Sequence, residues 1–338
     1  MKKLLLLCLV SVALVAAGTE LVVYTYDSFV AWGPALAIKE AFEKAHPGVT
    51  LVWIAPGDSS EMLARVIGEL ELGLPTADVF VGVADVEVPR ALARNVFQTL
   101  TPDRLTHLAD VPANLRILDD AVVVPFDYGY ITLVYDAQAL PEELVPRTLD
   151  DLLRPELKGK IVLQDPRTSS PGLSFLLWTI AHYGDGWPAF WEKLLPNALT
   201  VTRGWTESFY MLEAGEAPLV VSYSTTEAFS HIVYGDLRYL VLTPGGEGFR
   251  QVEYMGIVRT TEHADLAHAL LDLILSPEIQ ELIPTSQWMF PANATARIPE
   301  AFAEYAVIPE RPVWLDLDTV GANLTAWIRT WEEILAAR

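Results

Sequence analysis

Along most of the chain, short β-rich runs give way to stretches whose apolar positions recur at helical spacing. Residues 21–26 (LVVYTY), 49–54 and 77–83 (ADVFVGV) read as strands. Residues 33–46, 61–72 and 86–94 carry the helical spacing, and Asp58 or Ser59 stands where the N-cap of the second helix belongs. Alternation of this kind predicts an α/β fold, a mainly parallel sheet covered by helices. It resumes with residues 148–153 and 158–163, where GKIVLQ is a strand, followed by a helix at 173–183 and a strand-to-loop step at 201–205. A strand at 218–225 (PLVVSYST) and a return strand at 252–259 follow. A helix at 266–275 belongs to the first lobe, 283–291 reads as an aromatic loop, and the last residues form a helix containing Trp327 and Trp331.

One segment breaks the pattern. Residues 121–136, AVVVPFDYGYITLVYD, form a single long β-rich run whose middle is Asp127, Tyr128, Gly129 and Tyr130. An ordinary core strand is apolar there. A strand too long for one core and marked at its centre predicts a crossing between two lobes, with a ligand seated at the crossing. With a return strand, neither lobe is continuous: residues 18–126 plus about 255–290 form lobe 1, and 127–254 plus about 291–338 form lobe 2. Ligands on such sheets sit beyond the carboxyl ends of strands, where Tyr26-Asp27-Ser28 and Gly57-Asp58-Ser59 fall.

The first residues change the setting. Lys2 and Lys3 precede an apolar run that ends in Val15-Ala16-Ala17 before Gly18, the pattern of a signal peptide over residues 1–17. That run is too short to span a bilayer comfortably. The single cysteine, Cys8, lies within it, so a cleaved chain has neither thiol nor disulfide. The expected location is a bacterial periplasm, as a soluble molecule. With 44 acidic and 23 basic residues the net charge is −21, and loss of Lys2 and Lys3 takes it to −23. Such a surface opposes nucleic acid and anionic membrane and suits a small cation. A 51% hydrophobic composition excludes a largely disordered chain.

Three strand-to-helix turns offer hydroxyls and unpaired N–H groups: Gly57-Asp58-Ser59-Ser60, Thr168-Ser169-Ser170-Pro171-Gly172 and Gly204-Trp205-Thr206. Each reads as an anion site without a lysine, or as an ordinary cap. Aromatic residues gather in the same loops: Tyr24, Tyr26 and Trp32, then Tyr128 and Tyr130, then Trp205, Tyr223, Phe229 and Trp288. A flat ligand between two rings gains about 0.5–1.5 kcal/mol per stack, and a positive charge adds on the order of 2 kcal/mol. Asp27 and Asp127 either supply the counter-charge or serve turns. Phe190, Trp191, Trp327 and Trp331 read as packing. No nucleophile elbow, zinc-ligand spacing or adjacent tyrosine pair is present, so the residues predict a binding protein with no catalytic residue, cofactor or metal.

YTYDSF with Trp32-Gly33-Pro34, VPFDYGY, QDPRTSSPG, TRGWTE, VVSYSTT and IPTSQWMFP follow one another in an order that resembles the thiamine-binding periplasmic proteins of bacterial ABC importers. The resemblance covers essentially the whole chain after the leader. It implies a two-lobed periplasmic-binding fold of type II, each lobe a mixed, mainly parallel sheet flanked by helices, with a hinge of crossing strands. It implies a monomer that closes on thiamine or its mono- or diphosphate and delivers it to a membrane permease driven by an ATPase. Thiamine has a flat aminopyrimidine, a permanently cationic thiazolium and an alcohol that carries phosphates. By motif matching, Tyr223, Phe229 and Trp288 are ring-binding residues, with Tyr26, Asp27 and Trp32 beside them and Asp127 as a further counter-charge. Asp58, Ser59, Ser169, Gly204 and Trp205 fall at the hydroxyl or phosphate end. Phe229 stands where the family has a tyrosine, which keeps a stack and removes a hydrogen bond. Alternative readings are a ferric-iron or polyamine carrier of the same fold, and a secreted thiamine-phosphate phosphatase. A polyamine needs several carboxylates along a cleft, and only Asp27, Asp58 and Asp127 can be placed there.

Overall fold

The computed structural model describes residues 18–116 and 122–337, so the leader at 1–17 lies outside the described residues. The strands are β1 (Thr19–Tyr24), β2 (Val49–Ile54), β3 (Val79–Ala84), β4 (Val124–Asp136), β5 (Ile161–Gln164) and β6 (Ala198–Thr202). They continue with β7 (Leu219–Tyr223), β8 (Tyr239–Leu242), β9 (Glu247–Ile257), β10 (Phe290–Pro291) and β11 (Arg311–Val313). They join in the order β2-β1-β3-β9-β4-β7-β5-β6, with β8 and β10 added to β4 and β11 to β9. β1 is parallel to β2 and β3, and β5 is parallel to β6 and β7. β9 and β4 are antiparallel to each other and to β3 and β7. Two parallel half-sheets are therefore joined by two long antiparallel strands.

β4 shows why. Its 13 residues, at about 3.3 Å each, are more than twice an ordinary strand in length, so it serves two cores. One core gathers Leu21, Phe42, Leu63, Phe80 and Phe126 with Val252, Ile257 and Leu270. The other gathers Ile131, Leu163, Leu177, Trp191, Leu219, Phe249 and Trp331. Asp127, Tyr128, Gly129 and Tyr130 span the gap on β4, and Arg250 and Gln251 span it on β9.

Helices Ala35–Ala45, Ser59–Leu72 and Ala264–Leu275 turn apolar faces to the first core. Helix Ser170–Tyr183 is buried from Ser170 to Ile180 and runs through the second core, where helices Trp187–Asn197 and Leu317–Ala336 cover it. Trp331 meets Trp191 edge-on at 6.0 Å, which accounts for both as packing residues.

Three elements differ from expectation. Residues Asp27–Ala31 form a short helix of their own, and the next begins at Ala35 because Gly33-Pro34 interrupts the spacing. β9 begins at Glu247, earlier than residue 252, because its polar residues find partners on β11 and on Ser174. Residues expected as a loop at 283–291 contain the short helix Ile283–Ser286 and β10, which pairs with Tyr128 and Asp127.

Candidate functional site

Between the two cores lies a cavity of about 450 Å³, walled by strand ends and helix starts from both halves of the sheet. Two bulges shape its floor. Gly82 is the unpaired residue of β3, opposite Met255 and Tyr254 of β9, and Phe126 is that of β4, opposite Tyr254 and Glu253. Gly82 has φ +98°, and a Cβ there would stand 2.2 Å from Cε1 of Tyr26. The absent side chain is thus the space that the Tyr26 ring occupies. Tyr26 donates its hydroxyl to Glu253 Oε2 at 2.6 Å and accepts from Gln287 Nε2 at 2.5 Å. Gln251 Nε2 donates to Glu253 Oε1 at 3.0 Å and to the Tyr223 hydroxyl at 3.2 Å, while its own Oε1 accepts from Ser174. Burial, with the Tyr26 and Gln251 hydrogen bonds opposing it, pushes Glu253 up to about 8. Burial and the neighbouring Glu253 carboxyl hold the Tyr26 and Tyr223 phenols well above their usual value.

The opposite end of the cavity is built from the three turns noted in the sequence. Asp58 caps helix Ser59–Leu72, and its Oδ1 accepts from the Ser59 N–H at 2.6 Å. The same carboxylate also accepts from the N–H of Ser170 at 3.3 Å and of Trp205 at 3.2 Å. Those two N–H groups begin helices Ser170–Tyr183 and Trp205–Glu213, so a side chain from one half of the molecule sits at two positive helix ends of the other. Burial pushes the Asp58 carboxyl up to about 6 in spite of these donors. Thr206 donates to Asp27 at 2.9 Å, and Arg203 pairs with Glu61. Ser60 and Ser170, one from each side, both donate to Glu87.

Rings close the remaining walls. Trp32 meets Trp205 and Tyr210 edge-on at 6.2 and 5.7 Å across the mouth. Trp205 stacks on Phe209 at 4.9 Å and donates its indole N–H to Ser222. Trp288 presents its edge or face to Phe229 at 5.1 Å and 83°. Its backbone φ is +58°, a left-handed conformation disfavoured for a bulky residue, and the Thr225 hydroxyl holds its carbonyl.

Of the residues singled out from sequence, Tyr26, Asp27, Trp32, Asp58, Ser59, Trp205, Tyr223, Phe229 and Trp288 line this cavity. Ser169 and Gly204 stand one residue behind it as N-caps, and their successors Ser170 and Trp205 present the N–H groups. The Ser169 hydroxyl accepts from Gly172 at 3.4 Å. Asp127 lies behind the wall, fully buried, with neither oxygen hydrogen-bonded. Sequence reasoning passed over Glu253, Thr225 and Gln287, and named Thr206 only as part of the Gly204-Trp205-Thr206 turn. Glu253 had a signal: with Gln251 it places two polar residues at i and i+2, on one face of β9.

The chemistry of the lining is one-sided. Among the described residues four that line it, Asp27, Asp58, Glu213 and Glu253, are acidic, and none is Lys or Arg. Flat aromatic walls with buried carboxyls suit a planar cation, and the paired helix ends suit a hydroxylated or anionic tail. Among the described residues no group of three or more His, Cys, Asp or Glu side chains is placed to hold a metal ion.

Residues 75–323 match the family described as bacterial extracellular solute-binding protein. The thiamine-binding periplasmic protein of Brucella abortus is 37% identical over 317 residues, covering 93% of this chain and 92% of that protein. Its counterpart in Escherichia coli is 35% identical over 339 residues, covering 99% of each. A solved periplasmic thiamin binding protein superposes with a TM-score of 0.83 at 33% identity, covering 93% of this chain and 96% of that one. The ferric binding protein of Campylobacter jejuni, at 19% identity and a TM-score of 0.74, shares the fold.

Proposed function

The chain belongs to the bacterial extracellular solute-binding protein family, and on that premise we propose that it captures thiamine and its phosphate esters in the periplasm. It is the soluble component that hands them to the membrane permease of an ABC importer. The observation that carries this reading is the cleft lining, aromatic on its walls, acidic four times over and without a basic side chain. A permanently cationic ring answers that combination, whereas an anionic sugar phosphate brings no positive charge to set against the four carboxyls.

In this reading Tyr26, Tyr223, Phe229 and Trp288 enclose the two heterocycles, and Glu253 with Asp27 supplies the counter-charge. The alcohol or phosphate points to the Asp58, Ser170 and Trp205 end. The segments 18–126 with about 255–290, and 127–254 with about 291–338, close as two bodies about β4 and β9. Affinity is expected to be sub-micromolar, about −8 kcal/mol or stronger, since several stacks and a charge contact converge. Native mass spectrometry of the purified protein should show a mass increment matching thiamine or an ester. Calorimetry should show saturable heat with thiamine. An increment matching a different solute, or no heat up to millimolar thiamine, would reject the assignment.

A further inference from the structure

Glu253 faces the cleft, whereas Asp127 stands directly across the β4–β9 ladder from it and lines no part of the cavity. Opposed residues of an antiparallel pair place their Cβ atoms about 4.5–5.5 Å apart on one face of the sheet. Asp127 is fully buried and Glu253 is 4% exposed. Two carboxyl groups this close in a buried wall do not both ionise, so at least one proton stays with the pair. The two sites are also unequal. Glu253 receives the Tyr26 hydroxyl and the Gln251 amide, while neither oxygen of Asp127 has a hydrogen-bond partner. A charge is therefore tolerated at Glu253, and Asp127 is the place for a proton.

Resting on the thiamine reading, we propose that the Asp127–Glu253 pair is a proton-linked cation sensor. The empty protein stores protons on the pair, and arrival of a ring with a fixed positive charge drives one off. The O–H bond of one carboxylic acid breaks, its electron pair stays on the carboxylate oxygen, and the proton passes to the buffer. The ligand's positive charge compensates the new negative one, so the wall becomes ion-paired only when the correct class of ligand is present. A neutral ring of the same shape gains nothing from this step, which makes the pair a selector for permanent cations.

The groups facing the pair are consistent with that direction. Tyr26 reaches it from the end of β1, Tyr223 from β7, Gln251 from β9, Asp58 from the helix N-cap and Asp85 from the end of β3. Arg250 acts on Asp85, whose own carboxyl burial pushes up to about 7. Burial first, then the facing Glu253, holds Asp127 well above the usual carboxylate range. A cation lowers these values, so binding releases protons and the affinity rises as pH increases.

The test is calorimetry of thiamine binding at pH 7 in PIPES and in Tris, whose ionisation enthalpies differ. The difference in heat counts protons. Wild type should release on the order of half a proton or more and bind about tenfold more tightly at pH 8 than at pH 6. Asp127→Asn should release less than wild type, and the double variant Asp127→Asn, Glu253→Gln should release less still, only what Asp85 gives up, and lose most of the pH dependence. Normal binding with buffer-independent heat would overturn the sensor alone, as would equal release by wild type and the double variant. No thiamine heat in any buffer would overturn the thiamine reading and the sensor with it.

Discussion

Substituting Gly82 by alanine should couple a backbone defect to the ligand site. Gly82 has φ +98°, and its added Cβ would stand 2.2 Å from Cε1, 2.7 Å from Cδ1 and 3.4 Å from Cζ of Tyr26. The left-handed conformation costs an L-residue about 1–2 kcal/mol, and forcing a methyl into a packed wall about 1–3 kcal/mol more. Tyr26 cannot swing away freely. Its hydroxyl is bonded to Glu253 and Gln287, and its ring meets Phe29 edge-on at 5.8 Å. Gly82→Ala is therefore expected to destabilise by about 2–5 kcal/mol and, by displacing one stacking ring, to weaken thiamine binding about 2- to 12-fold. In a Tyr26→Ala background the clash is gone and the same change should cost only about 1–2 kcal/mol, the backbone part. Urea midpoints for the four proteins of the cycle, with calorimetric affinities for those that bind, measure both quantities. An equal stability loss in both backgrounds, or an unchanged affinity in Gly82→Ala, would refute the link from bulge to ring.

Trp288→Ala should weaken thiamine binding by about 1–3 kcal/mol through lost stacking and cation–π attraction, seen by calorimetry, with little change in fold by circular dichroism. Trp331→Ala should do the reverse, costing about 3–5 kcal/mol of stability in urea and leaving affinity unchanged, because Trp331 is fully buried against Trp191. Asp58→Asn replaces a carboxylate beside the proposed phosphate end with a neutral amide, so the affinity ratio of thiamine monophosphate to thiamine should rise about tenfold at pH 7.5, some 1.4 kcal/mol. An unchanged ratio would place the phosphate elsewhere. The unliganded protein should lose thermal stability from pH 5 to pH 8. Asp58, Asp85 and Glu253 are raised to about 6, 7 and 8 from ordinary values of 3.8, 3.8 and 4.5. Between those limits the folded state binds more protons than the unfolded one, so stability is present below and lost as pH rises through the window. A melting temperature that increases steadily from pH 5 to pH 8 would contradict the burial of these carboxyls.

Much of the site was legible because local chemistry marks it. The polar tetrad Asp127-Tyr128-Gly129-Tyr130 interrupts an apolar strand and does lie between two cores, since Phe126 before it packs in one and Ile131 after it in the other. Asp58 and Ser169 were readable as helix starts from residue type alone, and both cap the helices that follow them. Glu253 was obscured by neighbours. Arg250, Gln251 and Glu253 make β9 look less like a strand than it is, and what permits them there is a set of partners, Ser174, Tyr26 and Tyr223, distant in sequence.

By itself the chain determined the alternation of strands and helices, the double core, the aromatic loops and the acidity, because each follows from the residue's own propensity or charge. Only the tertiary structure decided which of two adjacent residues faces the cleft, as with Ser169 and Ser170 or Gly204 and Trp205. It alone decided that the two helix ends prepared for an anion already hold the Asp58 carboxylate, and that Asp127 stands behind Glu253 rather than on the wall. These are matters of how elements distant in sequence meet, set by helix starts that dock across the cleft and by the register of β4 on β9. Such a choice is made by long-range pairing and leaves no trace in local sequence.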